Sequence, residues 1–485
     1  MSPTAPPVAT VVVELINWPI PVESVVVSFA CATGTAILES SLQNEGYGRF
    51  SIFACDPIAV FSVGNDTQTC PFRALAKHVA AYPAVAGSTG GLPFVGGWIG
   101  FVSYEAGPAI EGLKCTTKRD LPLPLVRFCL YDSVAIYDHR AGQWYLTAVA
   151  WPRGTVRRPP VADRLRALRE LLATARLKEN IPIPTPITEP FTPNMSPRAY
   201  FARVERAKRY ISAGDIYQVN LTQRFTTRTQ ASPLALYRRL RRTSPSPHGA
   251  LLLWDDMAVL SSSPELFLEL RDGHVVTRPI KGTRPRGGDR RADAVQRSEL
   301  IHSEKDRAEL TMIIDLLRND LGRVCSFGSV HVTDADQIEE HPTVFHRVAT
   351  IEGDLEPRCN WLDLLRATFP GGSVTGAPKI RAMQIIDELE PTARGVYCGS
   401  IGWIGLDGSM SMNIAIRTMV QVGDVVHACA GGAIVADSTP AEEYEEIIAK
   451  AAGMLRALNC EAPKANYKLR ITNYKKEVAL PFTNL

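Results

Sequence analysis

An α+β fold built on antiparallel sheet is what this sequence predicts. Stretches with strand character follow one another over long parts of the chain instead of alternating with helices, which disfavours a doubly wound parallel sheet. Helical periods gather in a few separate segments, most of them in the second half. Over 485 residues, 45% hydrophobic and 21% charged, the chain can bury a sizeable core.

Residues 10–150 read as short β segments divided by turn residues: VVVEL at 11–15, SVVVSFA at 24–30, RFSIFAC at 49–55, VAIYDH at 134–139 and WYLTAVA at 144–150. Residues 161–178 carry apolar side chains at helical spacing. The run IPIPTPITEPFTPNMSP follows, and its prolines at 182, 184, 186, 190, 193 and 197 cannot sit in a helix or an inner strand. It reads as an extended linker, so the expected organisation is a β-rich subdomain over 8–150, a helix and linker over 151–197 and a mixed domain over 198–459. A tail over 460–485 has no readable role. Helices are expected at 198–213, 232–243, 303–321, 360–368, 378–388 and 440–458, and strands near 217–225, 249–254, 258–262, 265–270, 274–278, 399–406, 411–419 and 425–430.

A net charge of +3 calls for neither nucleic acid nor an anionic membrane. No apolar run reaches the roughly 18–20 residues of a membrane span, and the first residues carry no basic region of the secretory kind. Ten cysteines are scattered singly, which argues against a structural zinc site and a disulfide framework. A cytoplasmic protein is expected.

Two predicted helices carry carboxylates at face-sharing spacing. Asp306 and Glu309 lie three apart beside the stripe Leu310, Ile313, Ile314 and Leu317; Glu443, Glu446 and Lys450 share one side of the last helix. Each set alone reads equally as solvated charge at a helix start. Brought together, they would form an all-oxygen site suited to Mg²⁺. FPGGSVTGAPKIRAM fails the phosphate-loop pattern, because Ala-Pro-Lys follows Gly376, and reads as a glycine turn feeding a helix. HACAGGAIVADS reads as a second such turn. Lys281 lies in a basic loop without the interleaved aromatics of a nucleic-acid surface. His346 on its own reads as a hydrogen-bonded core histidine.

Taken in order, GDIYQVNLTQRF, SSSPELFL, RPIKGTRPRG, KDRAELTMIIDLLRNDLGRV, FPGGSVTGAPKIRAM, YCGSIGW, AIRT, GGAIVADS and AEEYEEIIAK resemble the chorismate-utilising enzyme family. That family includes the anthranilate, aminodeoxychorismate, isochorismate and salicylate synthases, and the strings span residues 214–450. The resemblance implies two large mixed or antiparallel sheets packed face to face with helices outside. It implies Mg²⁺ held by Glu309, Glu443 and Glu446. It makes Glu265 a general acid and His346 an active-site histidine, and sets Gln218, Thr375, Gly376, Tyr397, Arg417, Gly431 and Lys450 around the substrate.

Two positions discriminate among members. Gln218 stands where the water-adding members have a lysine base. Lys281 stands where anthranilate synthases have alanine, and is similar to the covalent nucleophile of the aminodeoxychorismate synthases, component I. The resemblance therefore implies amination of chorismate at C4, with ammonia delivered by a separate glutamine amidotransferase subunit in a heterodimer; an anthranilate synthase component I is the alternative. None of the cysteines lies in a G-x-C-x-G turn, consistent with glutaminase chemistry on another chain. Ala433 departs from the family's third glycine. Ser40 and the stretch SPSPHG at 244–249 resemble the tryptophan pocket of anthranilate synthases, with His248 in place of a tyrosine.

Overall fold

The structure is a computed structural model that describes residues 8–43, 48–64, 70–86, 89–178, 181–254, 256–286, 288–341 and 344–460. Residues 461–485, the expected tail, lie outside the described residues.

Among the described residues, every strand joins one of two sheets, of 12 and 10 strands, and the pairings along both are antiparallel. The larger sheet runs from Thr10–Ile16 at one edge, through Thr35–Glu39, His248–Trp254 and Met257–Ser263 at its centre, to Val425–Ile434 and Gln218–Arg228. The smaller runs from Ile280–Pro285 and Val344–Asp354, through Leu266–Arg271 and Ser400–Gly405, to Ala59–Val63. One apolar cluster takes Ile52, Ala250 and Val259 from the larger sheet and Ile99, Phe101 and Ile401 from the smaller. The two sheets therefore pack face to face, as the resemblance implies. Helices lie outside them, the last one, Pro440–Ala457, against Val425–Ile434. Strands from before and after the proline-rich segment hydrogen-bond to one another in both sheets: Gly249–Leu253 with Thr35–Glu39, and Ser400–Gly405 with Gly97–Val102.

The helices expected in the second half appear within a residue or two of their predicted ends. SVVVSFA is the clear error. It belongs to the helix Val22–Phe29, where Ser24 to Phe29 are all buried. A helix covered on every side has no polar stripe, so its β-branched run carries no period to distinguish it from a strand. HACAGG is also not a turn, because Gly431 and Gly432 continue the strand Val425–Ile434. A Cβ on Gly431 would lie 2.9 Å from the Leu221 carbonyl oxygen, so glycine there serves close backbone approach.

Two neighbouring crossovers between the sheets place the site. The chain leaves the larger sheet at Ser263 and enters the smaller at Leu266, then returns between Asn413 and Thr418. Ile414 N–H donates to the Glu265 carbonyl at 3.1 Å, Ser262 N–H to the Arg417 carbonyl at 3.1 Å, and the Ser263 hydroxyl to the Ile414 carbonyl at 2.6 Å. These bonds hold the two crossovers, one bearing Glu265 and the other Arg417, against each other, although the sequence separates them widely.

Candidate active site

Glu265 is buried, and burial pushes its pKa up to about 7 against the opposing pull of the Ser373 hydroxyl, Lys281 and Lys450. Lys281 leaves the strand Ile280–Pro285 at a bulge, since pairing with Val344–Asp354 breaks between Ile280 and Thr283. Gly282 makes the bulge possible: its φ is +81°, and a Cβ there would lie 2.9 Å from Asp306 Cγ. Lys281 Nζ donates to the Ser373 carbonyl at 3.2 Å. Burial lowers its pKa, helped by Lys450 and opposed by Glu309, Glu265 and Glu446. The neighbouring arginines are engaged elsewhere, Arg284 with Asp306 at 3.0 Å and Arg286 with Asp293.

Buried side-chain polar atoms without a protein partner are scattered over the described residues, and some of them belong to candidate residues or their strand neighbours. Both side-chain polar atoms of Gln218, both ring nitrogens of His346, Thr222 Oγ1 and Glu443 Oε2 have none among the described residues. Burial, with Arg417 and His341 nearby, takes the His346 pKa well below the usual imidazole value, so its ring is neutral. Arg417 has a left-handed backbone, φ +50°, and no carboxylate of the described residues pairs with it; burial lowers its pKa. A buried, unpaired guanidinium is suited to an anionic ligand.

Gly376 lies against the strand Gln218–Arg228, where a Cβ would approach the Gln218 carbonyl oxygen to 2.2 Å. The Thr375 hydroxyl donates to the Gly371 carbonyl at 3.0 Å. Lys450 Nζ donates to the Gly431 carbonyl at 3.1 Å and pairs with Glu446 at 2.6 Å. Tyr397 is buried, its hydroxyl 3.3 Å from where a Cβ of Gly431 would lie.

The expected metal ligands stand on two helices, Glu304–Gly322 and Pro440–Ala457, capped by Ser303 and Thr439. Glu443 is buried, takes the Ser438 hydroxyl at 2.6 Å, and has its pKa raised by burial. Burial likewise raises Glu309 against the pull of Lys281 and Lys305. Burial opposes the ionised form of Glu446, but Lys450, Lys305 and Lys281 hold its pKa down. The donors suit a hard cation in kind, and the unpartnered Oε2 of Glu443, 3.0 Å from the Cβ position of Gly432, leaves an oxygen for one. Among the described residues, however, no three such groups close on a common point. Lysines approach two of these carboxylates: Lys305 lies 3.7 Å from Glu443, and Lys450 pairs with Glu446.

Ser40 lines a different cavity, of about 250 Å³, into which none of the residues above project. Its hydroxyl donates to the Pro247 carbonyl at 2.7 Å and the Phe50 carbonyl at 3.0 Å. His248 lines the same cavity, and burial pushes its pKa down to about 4. Among the described residues no helix is long and apolar enough to cross a membrane.

The sequence pattern of the chorismate binding enzymes matches residues 38–456, across both sheets and every residue of this site. The chain belongs to that family. It falls within the group formed by the component I chains of anthranilate and aminodeoxychorismate synthases. It is 38% identical over 434 residues to aminodeoxychorismate synthase component 1 of Salmonella typhimurium, covering 87% of this chain and 92% of the relative. It is 41% identical over 436 residues to anthranilate synthase component 1 of Thermus thermophilus, covering 87% and 92%. The crystal structure of anthranilate synthase component I from Streptococcus pneumoniae superposes with a TM-score of 0.73 at 32% identity, over 85% of this chain and 93% of that one.

Sequence reasoning about this chorismate binding enzyme passed over Ser373, Asn220 and Lys305. All three lie inside the recognised strings, and what distinguishes them is tertiary contact: Ser373 with Lys281, Asn220 with the Ser373 carbonyl, and Lys305 with Glu443, none of which a linear pattern displays.

Proposed function

We propose that this enzyme aminates chorismate at C4, giving 4-amino-4-deoxychorismate, a precursor of p-aminobenzoate. Whole-chain similarity is about equal toward the two component I types, so the reading rests on one local observation. A lysine with a lowered pKa stands on a bulge beside a carboxylic acid poised near pH 7. In this reading neutral Lys281 bonds to C2, the two conjugated ring double bonds each shift by one position, and the C4–O bond breaks. Glu265 donates its proton to the departing hydroxyl, which leaves as water. Ammonia then attacks C4, both double bonds shift back, and the Lys281 amine leaves C2. The new ammonium at C4 returns one proton to Glu265, which restores the acid.

Arg417, Lys450, Tyr397 and the Gly431 N–H would hold the substrate carboxylates, with Thr375 and Gly376 at the C4 side and His346 and Gln218 beside the ring. Glu309, Glu443 and Glu446 would hold Mg²⁺, which when bound supplies Lewis-acid polarisation of a substrate carboxylate. Burial pushes the Cys398 and Cys429 thiols up to about 12, the opposite of an activated nucleophile. This supports a glutamine amidotransferase on a separate subunit as the ammonia source. Pure protein given chorismate, Mg²⁺ and ammonium at pH 8 should release 4-amino-4-deoxychorismate. Anthranilate as the main product would establish the other component I activity instead.

A further inference from the structure

We propose that Asn220 is a positioning residue for Lys281, acting through the carbonyl oxygen of Ser373, and so helps decide which ring carbon receives nitrogen. The inference rests on the reading of Lys281 as nucleophile and adds a residue that reading does not include.

Gln218, Asn220 and Thr222 occupy alternate positions of one strand and therefore share a face. Unpartnered polar atoms mark Gln218 and Thr222, whereas the Asn220 side chain is engaged. Its amide Nδ2 donates to the Ser373 carbonyl at 2.8 Å, the same oxygen that Lys281 Nζ reaches at 3.2 Å. A carbonyl has two lone pairs and can serve both donors.

The rest of the glycine turn is held from other directions. Asn220 N–H donates to the Thr375 carbonyl at 2.8 Å, and Arg394 donates to the Val374 carbonyl at 2.9 Å and to that of Asn220 at 2.9 Å. Three successive carbonyls of the turn thus each have a donor. Among the hydrogen bonds of the described residues, only that of the Asn220 side chain acts on the atom that Lys281 touches. A lysine carries four rotatable bonds, so its amine is directed only as well as its acceptor is fixed. Occupying one lone pair also leaves that carbonyl a weaker trap for the ammonium form. Both effects favour an amine aimed at C2, which blocks that carbon from ammonia and leaves C4 open.

The test compares Asn220→Val and Asn220→Asp, both close to asparagine in size, with the wild type. Chorismate and Mg²⁺ are supplied without ammonia, and the mass of the peptide bearing Lys281 is followed in time; parallel reactions with ammonium give the KM for chorismate and the ratio of C4- to C2-amino product. Valine removes the donor, and adduct formation and C4 amination should slow by about 10- to 100-fold with little change in the KM for chorismate. Residual nitrogen should appear at C2. Aspartate sets a second acceptor against the carbonyl and should be slower than valine. Adduct formation by Asn220→Val at the wild-type rate would overturn the inference. So would equal losses in both variants accompanied by a raised KM, since that marks packing alone. A wild-type enzyme that forms no adduct would instead defeat the reading of Lys281, and this inference with it.

Discussion

Replacing Glu265 by glutamine should make the protein more stable and less active, and the gain in stability should depend on pH. The carboxyl is 4% exposed, and its pKa rises from 4.5 to about 7 on folding. A value raised by folding means that the fold prefers the protonated form. The contribution is fully present below about pH 4.5 and is lost as pH rises through about 7. The shift of about two and a half units, at about 1.4 kcal/mol each, amounts to about 3 kcal/mol. Glutamine is never charged and does not incur that loss. Relative to wild type, Glu265→Gln should therefore gain under about 1 kcal/mol at pH 5 and about 3 kcal/mol at pH 8. Urea unfolding of both proteins at the two pH values measures the difference, in which groups common to both largely cancel. Turnover should fall on the order of 100-fold or more, because an amide cannot protonate the leaving hydroxyl. A stability difference that stays constant between pH 5 and 8, or that turns against glutamine at pH 8, would refute the assignment of a buried, proton-holding carboxyl.

Three further outcomes follow from the same geometry. Lys281→Ala should lose the adduct and reduce the 4-amino product on the order of 100-fold, with residual amination moving toward C2; Lys281→Arg should be inactive, because a guanidinium stays protonated. Product analysis by chromatography checks both. Glu309→Gln and Glu446→Gln should remove most Mg²⁺-stimulated activity and leave the circular dichroism spectrum unchanged, whereas solvated surface charges would tolerate the change. Gly376→Ala brings a Cβ to 2.2 Å from the Gln218 carbonyl at a φ of +147°, and should cost about 3 kcal/mol or more in denaturant titrations.

Legibility followed the range of the interactions involved. Amphipathic helices such as Pro440–Ala457 write their burial into a 3.6-residue period, and caps at Ser303 and Thr439 mark where they begin. Helix Val22–Phe29 was misread because full burial erases that period, and Gly431 was taken for a turn because close strand approach and chain reversal both call for glycine. The metal ligands showed in part: their helices and faces were readable, but the lysines that approach them, Lys305 above all, were not.

What the sequence by itself determined was the α+β class, the position of most second-half elements and the chorismate-utilising family, since each depends on local period, local turn chemistry or an ordered set of strings. What only the tertiary structure decided was which residues meet. The bulge that turns Lys281 out of its strand, the bonded crossovers that carry Glu265 and Arg417, and the Ser373 carbonyl shared by Asn220 and Lys281 all arise from segments far apart in the chain. Burial of Glu265 between two sheets sets its pKa, and desolvation is a property of everything around a group. Neighbours along the chain do not fix it.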